Sequence, residues 1–134
     1  MIERELNIGR WHAGFLFAEE DYDDELVLTR LYDVDAPIYI MRDVNKVMDK
    51  GELNAGFTFT NPEMKEAVVV VGPTSSGAEF QNTLVHELYH LAAAIADELG
   101  VAIDSEVPAY IAGDLALEFM DVVCELGCVH CNKF

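Results

Sequence analysis

The sequence predicts an α+β domain in which a small mixed sheet packs on two long helices. Three observations carry this expectation. Short runs rich in Val, Ile, Phe and Tyr, broken by turn signals, fill the chain as far as Val71. From Ala78 to Leu99 apolar residues recur at helical spacing, and Gly100 closes that segment. A second helical pattern starts at Asp104 or Ser105 and reaches about Glu125. With neither an internal repeat nor a linker, residues 1–134 read as one domain.

Composition narrows the function classes. At 134 residues and 51% hydrophobic content, the chain can bury a core without disulfide support. Eight Lys and Arg against 25 Asp and Glu give a formal charge of −17. Such a surface repels phosphate backbones, so nucleic acid is excluded as a partner, and basic or neutral partners are favoured. No run approaches the length of a membrane span, and Met1–Arg10 is polar rather than signal-like. The three cysteines, Cys124, Cys128 and Cys131, make no framework for the core, so a reducing, cytoplasmic location is expected.

In chain order, Trp11–Ala18 is an expected first strand, and the acidic run Glu19–Glu25 a solvated loop. Leu26–Leu31 and Pro37–Met41 read as two further strands, with a helical turn over Asp43–Lys50 stopped by Gly51. Gly56–Thr60 alternates Thr with Phe, the period of a half-exposed outer strand. Ala67–Val71 is apolar throughout and therefore interior; a hairpin joins the two. Ser75 or Ser76 caps the first long helix, whose inward stripe is expected to be Val85, Leu88, Ala92, Ile95 and Leu99. On the second helix Ala109, Ala112, Leu115, Ala116, Phe119 and Val123 should face inward.

The chemistry sits in the first long helix, at His86-Glu87-Leu88-Tyr89-His90. Imidazoles four residues apart share one helix face and can hold a single zinc ion, with Glu87 placed to serve a metal-bound water. A catalytic zinc needs a third protein ligand. His12 is far away in sequence and His130 lies near the C-terminus. Asp97 shares the face of His90 but stands roughly 10 Å further along the axis. Glu106, in the first turn after the helical hairpin, is the better candidate, with Asp104 its rival. The segment Cys124, Cys128, His130 and Cys131 offers a second set of soft ligands. Its thiols, however, fall on one face of a continuing helix, so Cys124 is expected in the core and the other two exposed.

His86-Glu87-Leu88-Tyr89-His90 followed by Glu106-Val107-Pro108-Ala109-Tyr110 resembles the gluzincin group of zinc metallopeptidases, in particular small phage and mobile-element members. The likeness spans about Gln81 to Leu117. It implies a minimal zincin-like domain with an active-site helix and a glutamate helix. It also implies one Zn2+ on His86, His90 and Glu106, Glu87 as general base, and an edge strand that holds an extended peptide or protein substrate. Hydrolysis would run through a zinc-bound water, with Tyr110 donating to the oxyanion or orienting a ligand and Asp114 buttressing a histidine. Tyr89 is expected in the core. The chain departs from the metzincin pattern at Ala93 and Ala96, and little sequence follows the glutamate helix to form a second cleft wall. A non-catalytic, zinc-stabilised binding module, or a subunit of a phage or mobile-element assembly whose partner completes the cleft, is the alternative.

Overall fold

The alternation of strand β1 (Ile2–Ile8) sets one face of a sheet, because Ile2, Leu6 and Ile8 turn inward while Glu3, Glu5 and Asn7 are exposed. The description is a computed structural model covering the backbone of residues 1–131 and the side chains of residues 1–126. Gly9, at a φ of +59°, makes the tight turn into β2 (Trp11–Phe17), which pairs antiparallel with β1. Two helices follow, α1 (Asp24–Asp33) and α2 (Ile38–Asp49), and then the hairpin of β3 (Gly56–Asn61) and β4 (Glu66–Val71). β4 lies parallel to β2, so the four-stranded mixed sheet has the order β1-β2-β4-β3. β4 is interior and β3 forms an outer edge, as its alternation predicts. The chain ends in α3 (Gly77–Glu98), α4 (Glu106–Glu118) and α5 (Met120–Cys131).

Burial divides the sheet residue by residue. Trp11, Ala13, Phe15, Phe17, Ala67, Val69 and Val71 pack against α3, α4 and α5, whereas Leu16, Val68 and Val70 pack against α1 and α2. The fully apolar β4 therefore reflects helices on both faces, not on one as expected. The α+β class and the small mixed sheet stand. The picture of a sheet resting on just two long helices does not.

Leu26–Leu31 and Pro37–Met41 are helical, not strands. Their β-branched residues mislead, because Val27 and Leu31, and later Val44 and Met48, recur at four-residue spacing and are the buried positions. Asp23 caps α1, its side chain accepting the Leu26 N–H at 3.1 Å, and Pro37 opens α2. The strand β1 was not foreseen, since its charges disguise the alternation.

Two details of the long helices also differ from expectation. Val85 and Leu99 are each 59% exposed, and the buried stripe of α3 runs through Phe80, Leu84, Leu88, Leu91 and Ile95. The second helix does not continue unbroken to Glu125. It stops at Phe119, whose ring lies 4.5 Å from Phe15 and 5.5 Å from Phe17, and the chain restarts as α5. Docking that ring on two sheet phenylalanines redirects the chain, so Val122 and Leu126 reach the core while Cys124 and Ala109 are exposed. None of the described helices is long and apolar enough to cross a membrane.

Candidate metal centre

The site is assembled where the start of β3 is strapped to the start of α3. Asn54, at a φ of +58°, donates its N–H to the Pro73 carbonyl at 2.8 Å, and its Oδ1 accepts the Ser75 N–H at 2.9 Å. Gly72 donates to the Ala55 carbonyl at 2.8 Å, extending the β3–β4 ladder by one pair. Ser76 caps α3 by accepting the Glu79 N–H at 3.1 Å. These ties press β3 against the third turn of α3. Contact there is close enough that a Cβ at Gly56 would stand 2.9 Å from Thr83 Cγ2 and 3.1 Å from Glu87 Cγ.

The strand's alternation then sorts its side chains. Phe57 and Phe59 pack on the α1–α2 side, while Thr58 and Thr60 line a cleft with His86, Glu87 and His90. That cleft has a volume of about 430 Å³, and a smaller recess of about 240 Å³ adjoins it at Gly56, His86 and Glu87. Hydrogen-bond parity fixes what the edge offers. Because Ala55 and Gly72 form a bonded pair, Phe57, Phe59 and Asn61 bond to β4. The N–H and C=O groups of Gly56, Thr58 and Thr60 therefore face away from the sheet.

His86 Nε2 and His90 Nε2 are 3.1 Å apart, with both rings exposed. Two nitrogens at that separation subtend about 100° at an ion bound at zinc–nitrogen length, close to the tetrahedral value. Glu87 Oε1 is 3.8 Å from His86 Nε2, and the ligand atoms of the three residues all lie within 4.8 Å of one another. Glu87 itself is only 3% exposed, and this burial pushes its carboxyl above the ordinary value of 4.5. A hydrogen bond from Thr58 and the two nearby imidazoles oppose that rise. The donor set, two imidazoles and one carboxylate, suits zinc.

Other expected site residues lie elsewhere. Glu106 occupies the exposed first turn of α4 and contributes no ligand atom to the cluster. Asp97 and Asp104 are likewise exposed and outside it. Tyr110 is 69% exposed and has no hydrogen bond among the described residues. Asp114 lines a different cleft, with Leu6, Asn7 and Ile8 of β1, and so does not buttress a histidine. Tyr89 is not in the core: it is exposed, its ring 6.3 Å from that of His90. His12 sits near Glu5 at 3.9 Å. The side chains of Cys128, His130 and Cys131 fall outside the described residues.

The role of Asn54 was missed from the sequence, as were the contacts that Gly56 and Thr58 of the expected outer strand make with Glu87. The Thr/Phe alternation was legible, but which face of the strand would meet α3 was not. No protein-family model, curated protein or solved structure matches this chain.

Proposed function

We propose that this chain is a zinc-dependent peptidase with a zincin-like arrangement of active-site helix and edge strand. The observation that supports it is the convergence of two imidazole nitrogens, 3.1 Å apart, beside a buried carboxylate in a cleft walled by the free edge of β3. His86 and His90 would hold the ion; Glu106, which the resemblance implies as the third protein ligand, contributes no atom to the cluster, so the zinc content of Glu106→Ala decides that position. Zinc bound there supplies a Lewis acid that acidifies water and polarises a carbonyl. Glu87 takes a proton from the attacking water and returns it to the leaving amine. Burial suits it to that role, because a carboxyl held above its usual value is a better proton acceptor. The outward-facing groups of Gly56, Thr58 and Thr60 pair with an extended substrate as an added strand. With a net charge of −17, basic peptides are favoured.

A second reading, a non-catalytic zinc-stabilised binding module, is favoured by one observation. Glu87 rather than Glu106 completes the three-residue cluster, as a structural ligand would. One experiment separates the two. Zinc per chain and cleavage of a basic peptide library are measured for the wild type and Glu87→Gln. A peptidase retains zinc in the variant and loses cleavage; a module in which Glu87 is a ligand loses zinc and cuts nothing in either form.

A further inference from the structure

The opposite edge of the sheet, β1, borders a groove separate from the metal centre. His12 and Ala18 donate to the carbonyls of Lys65 and Val71 at 2.9 Å each, so the even-numbered amides of β2 point toward β4. The odd-numbered residues Trp11, Ala13, Phe15 and Phe17 therefore bond to Ile8, Leu6, Arg4 and Ile2 of β1. It follows that the N–H and C=O groups of Glu3, Glu5 and Asn7 face outward. Among the described residues nothing pairs with them.

Along this edge Leu6 and Ile8 form one wall of the groove, and Ile111 and Leu115 of α4 the other. Beyond Ile8 and Ile111 it opens into a wider pocket of about 370 Å³ that reaches Trp11. Asp114 and Glu118 stand on the α4 wall, and neither has a cation within ion-pair distance among the described residues. Glu98, further along, is held by Lys65 at 2.9 Å. Below the edge, on the other face, are Glu3 and Glu5, which share Arg30.

We infer that β1 and this groove dock an extended, basic segment of a partner protein as a fifth strand. Its groove-facing side chains, apolar with a lysine or arginine among them, would drop between β1 and α4 and meet Asp114 and Glu118 there, and lysines or arginines on its other face would meet Glu3. Charge complementarity selects this occupant over a second copy. Pairing β1 with its own copy would set Glu3 and Glu5 against like charges between two chains of −17 each. Backbone pairing along a free edge, with alternate side chains entering a groove, is a recurrent mode of peptide capture.

The test titrates the full chain with an acetylated heptapeptide of Lys and Val in which one alternate set of positions carries Val-Lys-Val, for the groove, and the other set only Lys. Binding is read by heat and by the fluorescence of Trp11, the only tryptophan in the chain. Saturable binding is expected, weakened about tenfold in Asp114→Lys/Glu118→Lys, whose exposed positions leave the fold intact. N-methylation of one alternating set of peptide amides should abolish binding and methylation of the other set should not, because a strand presents alternate amides to its neighbour. Full binding in Asp114→Lys/Glu118→Lys would place the peptide along another edge and overturn the proposal. Equal binding of both methylated peptides, or of a Glu-Val peptide, would reduce the effect to unspecific charge and overturn the proposal. So would concentration-dependent dimerisation that competes with the peptide.

Discussion

The Thr58 hydroxyl lies 3.1 Å from Oε2 of Glu87 and 3.2 Å from the same residue's backbone carbonyl, tying the edge strand to the carboxylate between His86 and His90. One oxygen of Glu87 is thereby held against β3, while Oε1 is the atom nearer His86. The bond lowers the carboxyl that burial raises. Thr58→Val keeps the shape and deletes the donor. In the peptidase reading it should leave zinc content unchanged and lower kcat about ten- to a hundredfold, the size of one hydrogen bond to a charged group. An unchanged kcat would detach Thr58 from the chemistry.

Glu87 should also leave a mark on stability in protein stripped of metal by a chelator. Below its ordinary value of 4.5, folded and unfolded chains both carry the proton. Above it the unfolded chain releases the proton first, so the native state binds more protons. Stability is then lost as pH rises toward the folded value. Glu87→Gln removes that loss. Urea unfolding across pH should therefore show the variant gaining on the wild type as pH climbs from about 4.5 toward neutrality. A difference between the two proteins that is flat with pH would contradict the raised carboxyl.

The same burial explains how far the sequence could be read. His86, Glu87 and His90 were legible because their spacing alone puts them on adjoining positions of one helix. The interior β4 and outer β3 were legible from apolar continuity and alternation. The second half of α2 was legible as the helical turn over Asp43–Lys50 stopped by Gly51, but α1 and the start of α2 were not, because the composition of Leu26–Leu31 and Pro37–Met41 favours strands. Where Glu106 would lie depends on how α4 sits against α3, and no local pattern reports that. Thr58 and Gly56 acquire their roles only when a loop held by Asn54 brings β3 onto α3.

His90→Ala should abolish stoichiometric zinc, since it removes one of the two converging nitrogens. Glu106→Ala tests the third position. If Glu106 is the third ligand, its loss should weaken zinc at least about tenfold, within the range measured when a ligand or its support is removed. Wild-type zinc affinity in that variant, measured by chelator competition, would assign the position to Glu87 or to solvent.

Gly56 is required by contact rather than by turn geometry. A methyl there would lie 2.8 Å from the Val70 carbonyl oxygen as well as against Thr83 and Glu87. Gly56→Ala should cost about 1–3 kcal/mol of stability by overpacking. It should also loosen the strand from the helix, seen as faster hydrogen exchange in β3. A variant as stable as the wild type would mean that the contact relaxes freely.

The free edge of β3 yields the sharpest contrast between neighbouring residues. Parity places the Thr58 N–H toward the cleft and the Phe59 N–H toward β4, so proline should act oppositely at the two positions. Phe59→Pro removes a ladder bond inside the hairpin and should destabilise the fold. Thr58→Pro leaves the ladder intact and removes a donor that an added strand would use. It should keep zinc and fold yet bind extended peptides about tenfold more weakly, the size of one lost hydrogen bond. Thr58→Val serves as the control, because it deletes the hydroxyl but retains the amide. Peptide affinity that falls in Thr58→Pro and holds in Thr58→Val isolates the backbone contribution. Basic peptides should be preferred at low salt, and the preference should fade as ions screen the −17 charge. Full affinity in a folded Thr58→Pro protein would show that peptides do not pair along β3.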